Sequence, residues 1–137
     1  MLPIDVRLPE PVIRQLMAAA RPTCVHDGDG LRRLHGAASD DRLGLVVATS
    51  GASGRPKLVE LDRAAVEAAV HAGATRIGAT TDDPWLACLS PAHIGGMLVY
   101  LRALLIGAPL VYLDPFDPAQ FARAPATFAS IVPTMLH

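Results

Sequence analysis

Neither sign of charge is in excess in this chain. Twelve Lys and Arg stand against thirteen Asp and Glu, a net of −1. That balance offers no electrostatic attraction for nucleic acid or for an anionic membrane surface. Cysteine is scarce: Cys24 and Cys88 lack metal-ligand spacing and form no disulfide framework. Both read as free thiols in a reducing, cytoplasmic compartment. The start of the chain has neither the basic residues nor the apolar run of a signal peptide. No apolar stretch is long enough to cross a bilayer as a helix. The nearest, Met97 to Leu113, contains Arg102 and is broken by Gly107 and Pro109. It reads as a buried helix followed by a buried strand. No repeat, low-complexity linker or metal-ligand set is present, and aromatic residues are few. What remains is aliphatic: half of the 137 residues are hydrophobic, as buried strands with covering helices require.

In chain order, Pro11 to Ala20 has the pattern of a short helix, with Val12 and Leu16 on one face and Arg21-Pro22 ending it. Residues 23–26 suggest a strand, and Asp27-Gly28-Asp29-Gly30 a turn. Two aspartates are too few for a calcium loop. Residues 31–42 are polar and read as a surface connection. Residues 1–42 are thus a short N-terminal helix and connection, and 43–137 an α/β domain. Leu43 to Ala48 reads as a fully buried strand. After a loop, Leu58 to Leu61 alternates as a strand does. Asp62 precedes a helix whose face is Val66, Ala69, Val70 and Gly73. Trp85 to Leu89 is a short strand. Ile94, Met97, Leu98, Leu101, Leu104 and Leu105 form one broad face of the next helix, which ends at Gly107. Pro109–Leu113 is another buried strand and Thr127–Val132 a final strand, and between them lies a turn whose Asp117 can cap a short helix through Phe121. Alternation of this kind predicts a layered α/β domain with a largely parallel sheet flanked by helices.

Two stretches carry chemistry. The first is Val46 to Val59, where an apolar run enters a loop of small and hydroxylated residues. Gly51 and Gly54 permit close approach of a ligand to the backbone, and successive N–H groups can converge on an anion. Thr49, Ser50 and Ser53 add hydroxyls, and Lys57 adds a mobile cation. Ala52 completes the run. This suits a polyphosphate. It is not the ordinary P-loop, because the glycine spacing differs and no Ser or Thr follows Lys57. A glycine- and serine-rich turn without a ligand is the plainer alternative. The second stretch is Leu89 to Met97. It joins a strand to a helix and places His93 just before the helix N-terminus, beside Gly95 and Gly96, which expose backbone. Such strand-to-helix crevices are where α/β folds bind ligands.

The first stretch resembles the phosphate-binding loop of the adenylate-forming superfamily, typically Thr-Ser-Gly-Thr-Thr-Gly-x-Pro-Lys, at Thr49, Ser50, Gly51, Gly54, Pro56 and Lys57. Ala52 departs from it by losing a hydroxyl. The second is similar to that superfamily's Pro-x-x-His-x-x-Gly pattern, with His93 at the histidine. The continuation from His93 to Pro109 looks most like the o-succinylbenzoate–CoA ligase branch, which serves menaquinone biosynthesis. The resemblance implies the fold of the N-terminal subdomain of adenylate-forming enzymes. It implies use of ATP, Mg²⁺ and coenzyme A on a carboxylic acid, through an acyl-adenylate and then a thioester. Thr49 to Lys57 would hold the β- and γ-phosphates, and His93 would line the acyl and thiol side.

The superfamily's Gly-Gly-Glu and Thr-Gly-Asp segments and its mobile domain with a catalytic lysine are not among these residues. The resemblance therefore implies an N-terminal portion that needs its other half, or a non-catalytic module that pairs with a partner chain or a second copy. An exposed apolar edge would mark both. A helix beginning at Lys57 would instead favour an unrelated nucleotide-binding domain.

Overall fold

The computed structural model describes residues 1–50 and 56–136, without the side chain of Ser50. These residues form two compact units, Met1–Arg63 and Ala64–His137. The boundary between these units falls after the second strand of the loop hairpin. The reason is that the hairpin is bonded into the N-terminal elements. The Val46 N–H donates to the Met1 carbonyl at 2.7 Å, and the Met1 ammonium donates to the Gly44 carbonyl at 3.3 Å.

The first unit opens with α1, Glu10–Ala20. Pro9 and Pro11 frame its first turn, where a missing N–H does no harm. Its buried residue is Leu16, and the helix packs against the later strand β4 (Pro56–Asp62). Two strands, β1 (Cys24–Asp27) and β2 (Gly30–Arg33), pair antiparallel across the Asp27–Gly30 turn. This corrects the reading of residues 31–33 as irregular connection. Arg32 and Arg33 are exposed, and Arg32 donates to the Asp27 carboxylate at 2.9 Å across the ribbon. A ribbon strand facing solvent has no apolar alternation to betray it. The longer hairpin is β3 (Leu43–Ser50) with β4, also antiparallel. Among the described residues of β3 only Leu45 and Val46 are buried and Thr49 is exposed, so the strand is partly covered rather than wholly buried.

The second unit alternates helix and strand. Its elements are α2 (Arg63–Ile77, whose first residue closes the first unit), β5 (Trp85–Ala87), α3 (Ile94–Ile106), β6 (Leu110–Tyr112), α4 (Pro118–Phe121) and β7 (Phe128–Ala129), followed by a single tight turn at Pro133–Met135. The three strands form a parallel sheet in the order β6-β5-β7, with Trp85 opposite both Leu110 and Phe128. The expected α/β architecture is present, and its parallel pairing belongs to this unit. Central β5 is buried along its whole length, as a parallel strand covered on both faces should be. Edge strand β6 is not: Leu110 and Tyr112 are exposed, and Leu113 just beyond is buried. The expectation of a buried strand there fails because sheet position, not composition, decides burial.

The core of this unit is Trp85, Ala87, Val99 and Ala103, with Tyr100 and Phe128 packed against it. The Trp85 and Phe128 rings lie 5.0 Å apart, within the range for favourable aromatic pairs. The Arg102 guanidinium sits 5.3 Å from the Trp85 ring centroid. Its Nε and the Trp85 Nε1 are buried without a hydrogen-bond partner among the described residues, and burial pulls the guanidinium below its ordinary pKa. A cation–ring stack returns about 0.5–2 kcal/mol. An unpaired buried N–H costs about 1–3 kcal/mol, an opposing contribution of the same order.

Both helix faces shift from the sequence reading. In α2 the covered residues are Val66, Val70, Gly73 and Ala74, while Ala69 is exposed. In α3 the buried residues are Gly96, Met97, Val99 and Ala103, while Ile94, Leu104 and Leu105 are exposed. The helix ends at Gly107, whose φ of 79° is left-handed and whose N–H donates to the Ala103 carbonyl, as the sequence predicted. Asp117 caps α4 by accepting from the Gln120 N–H at 2.7 Å. No helix among the described residues is long and apolar enough to cross a membrane.

Candidate functional site

The loop expected to bind polyphosphate joins the two strands of the β3–β4 ribbon. Thr49 lies opposite Lys57 and Ser50 opposite Pro56, so the ladder runs up to the last described residue on each side of the loop. Directly opposed residues of an antiparallel pair share a face, which puts the Thr49 and Lys57 side chains together at the loop's mouth. Both residues are exposed. The Thr49 hydroxyl donates to the Lys57 carbonyl at 3.3 Å, so its proton staples the two strands and its lone pairs remain free. Sequence reasoning expected that hydroxyl to donate to a ligand; in this state it serves the ribbon. The Lys57 ammonium forms no ion pair among the described residues and is available to an external anion. Gly51, Ala52, Ser53, Gly54 and the side chain of Ser50, also expected to contribute, lie outside the described residues.

Lys57 is in the strand β4, and no helix begins there. The feature that would have favoured an unrelated nucleotide-binding domain is therefore not present at Lys57. At the end of the ribbon the described groups are an exposed cation without an ion pair among the described residues and a hydroxyl whose proton is given to the Lys57 carbonyl.

His93 stands in the second unit, at the N-cap of α3. Its backbone is extended (φ −105°, ψ 144°), and its side chain makes no capping bond to the helix. The imidazole is exposed. Its main chain is held at both ends: the N–H donates to the Ser90 carbonyl at 3.2 Å, and the carbonyl accepts from the Met97 N–H at 2.9 Å. The Ser90 hydroxyl accepts from the Ala92 N–H at 3.3 Å. Of the two glycines expected to expose backbone, Gly96 does the opposite. It is buried, and a Cβ there would fall 2.2 Å from the Ser90 carbonyl oxygen. Sequence reasoning missed Ser90; the signal was a hydroxyl at the start of a turn that precedes a helix. Cys88, just after β5, is half-buried and donates to the Ser130 carbonyl at 3.5 Å. Burial pushes its thiol pKa up, away from nucleophilic character.

A family model described as AMP-binding enzyme matches residues 9–137. The chain belongs to the AMP-binding enzyme family. Within that family, the 2-succinylbenzoate–CoA ligase of Bacillus cytotoxicus is 30% identical over 95 residues, which cover 66% of this chain and 20% of the relative. The probable 2-succinylbenzoate–CoA ligase of Mycobacterium tuberculosis is 36% identical over 88 residues, covering 62% of this chain and 22% of the relative. The chain thus spans about a fifth of the length of these AMP-binding relatives. Among solved structures, a variant of E. coli MenE with bound OSB-AMS superposes with a TM-score of 0.75 at 25% identity, covering 98% of this chain and 33% of that one. The α/β fold expected from the sequence is therefore that of known AMP-binding enzymes.

Proposed function

We propose that this chain forms the N-terminal, phosphate-binding portion of an AMP-forming acid–CoA ligase, acting on 2-succinylbenzoate or a close relative of that acid. The observation that carries the reading is the exposed Lys57–Thr49 pair at the end of the β3–β4 ribbon, within a segment that the AMP-binding family spans end to end. Relatives bearing that activity supply the substrate class, and solved neighbours of the same kind hold ATP with magnesium and a CoA product analogue.

ATP supplies the leaving group that a carboxylate lacks, and coenzyme A the acceptor thiol. Lys57 offsets charge on the departing pyrophosphate, an electrostatic role in which a fixed charge meets charge that develops in the transition state. Ser50, Gly51, Ala52, Ser53 and Gly54 complete the phosphate cradle, with Mg²⁺ carried by the nucleotide. The Thr49 staple holds Lys57 in register, so the cation arrives at the cradle without a search. His93 projects from the N-cap of α3 toward the acid and thiol side. The exposed Leu104, Tyr112 and Leu136 of the second unit support a place for more of the ligase polypeptide to pack. The reading implies a cytoplasmic enzyme.

The test is a chimera in which residues 9–137 replace the matching segment of E. coli MenE. Acid-dependent pyrophosphate release, abolished or strongly reduced by Lys57→Ala, supports the proposal. A folded chimera in which Lys57→Ala leaves pyrophosphate release unchanged overturns it.

A further inference from the structure

We propose that Ser90 and Gly96 are positioning residues for His93, setting where its imidazole stands for the acid- and thiol-handling half of the site. The inference rests on the function proposed above. It starts from Gly96. A helix residue two places inside α3 is ordinarily free to carry a side chain. Here a Cβ would meet the Ser90 carbonyl oxygen at 2.2 Å, the Ser90 carbonyl carbon at 2.7 Å and the Leu89 carbonyl oxygen at 2.8 Å. All three are backbone atoms, which cannot rotate away. The first turn of α3 is therefore folded flat against the segment that leads into it, and only glycine permits that approach.

The atom that Gly96 abuts is the one that holds His93. The Ser90 carbonyl accepts the His93 N–H, and the Ser90 hydroxyl accepts the Ala92 N–H one residue earlier. One residue thus organises the three-residue turn, and Gly96 sets how deeply α3 seats upon it. By contrast, a Cβ on the neighbouring Gly95 would meet only the Leu89 Cδ1, at 3.9 Å. The two glycines are chemically alike and mechanically different. No side-chain bond fixes the imidazole to the helix, so its position follows from the backbone beneath it. A methyl at residue 96 would lift the turn and carry His93 with it, while the loop hairpin, in the other compact unit, keeps its phosphate-binding residues.

Two measurements test this. In the 137-residue chain itself, the His93 ring resonances should move in Gly96→Ala and in Ser90→Ala. Those of the other four histidines should stay, which shows an intact fold. In the chimeric ligase, Gly96→Ala should lower acid-dependent thioester formation by up to about 100-fold, as misplacement of a positioned group does, with the KM for Mg·ATP unchanged. Ser90→Ala should cost less, and Ser90→Thr, which keeps the hydroxyl, should restore activity. The deciding readout is a double-mutant cycle. In a His93→Ala background, Gly96→Ala and Ser90→Ala should add nothing, because each acts through the missing imidazole. Full additivity overturns the inference and leaves the two residues as general structure. Should Gly96→Ala not fold, the Ser90 arm of the cycle decides alone. A His93→Ala enzyme with unaltered acid and thiol use refutes instead the role proposed for His93, so the two failures are distinguishable.

Discussion

The hairpin β3–β4 and the sheet β6-β5-β7 are held together in opposite ways. The hairpin has strands of eight and seven residues joined by a short loop, so backbone pairing between chain neighbours does most of the work. The parallel sheet has strands of three and two residues, too short for its ladder to matter much, and it depends on side chains gathered around Trp85. Each arrangement suits what it carries. The ribbon pins both ends of the loop expected to bind phosphate, at Ser50 and Pro56. His93 needs a fixed backbone at a helix end, which packing supplies through α3.

The comparison is tested most severely by Trp85→Ala. Removing the centre of a core that replaces ladder by packing should destabilise the second unit by about 3–5 kcal/mol. Chemical denaturation followed by circular dichroism reads the loss, and hydrogen exchange should locate it in Trp85–Ala87 and Leu110–Tyr112. Lys57→Ala is next. It touches chemistry and not stability, and should slow pyrophosphate formation in the chimera about 100-fold, the usual effect of deleting one fixed electrostatic group. Thioester formation from preformed acyl-adenylate should be unchanged. Asp117→Ala should cost about 1 kcal/mol, since it removes an N-cap from a helix of a single turn; the change in denaturation midpoint measures it.

The smallest effect concerns Asp83, whose carboxylate accepts from the Thr80 hydroxyl at 2.7 Å and the Thr80 N–H at 2.8 Å. Those bonds favour the charged form and hold its pKa below the usual carboxylate value. A group depressed in the folded state stabilises above its unfolded pKa and loses that contribution as pH falls through the folded one. The melting difference between the parent chain and Asp83→Asn should therefore be constant above about pH 5 and shrink below about pH 4. A difference that grows on acidification contradicts the assignment.

What the sequence made legible follows the same division. The hairpin was readable because its signals are local: two apolar runs, a loop of glycine and hydroxyl residues, and Lys57 just beyond. The second unit was readable as alternating elements, but not in its faces. Helix α3 is apolar nearly all round, so periodicity could not choose between the leucines and the small residues. Close approach chose Gly96, Val99 and Ala103 for the sheet and left Leu104 outside. Nor does composition tell a central strand from an edge one, which is why Leu110 and Tyr112 were expected inside. Ribbon strand β2 was missed because its outward arginines mimic a loop. Ser90 and Gly96 matter through carbonyl positions, which no residue pattern records.

Trp85 has a consequence of a different kind. It is the chain's single tryptophan and is only 2% exposed, so intrinsic fluorescence is a spectroscopic witness to the second unit alone. Far-ultraviolet dichroism, by contrast, sums helix and strand from both units. An emission red-shift that coincides with the dichroism transition in a denaturant titration would mean that the chain melts in one cooperative step. An emission shift that precedes or trails the dichroism would resolve two meltings with no label attached.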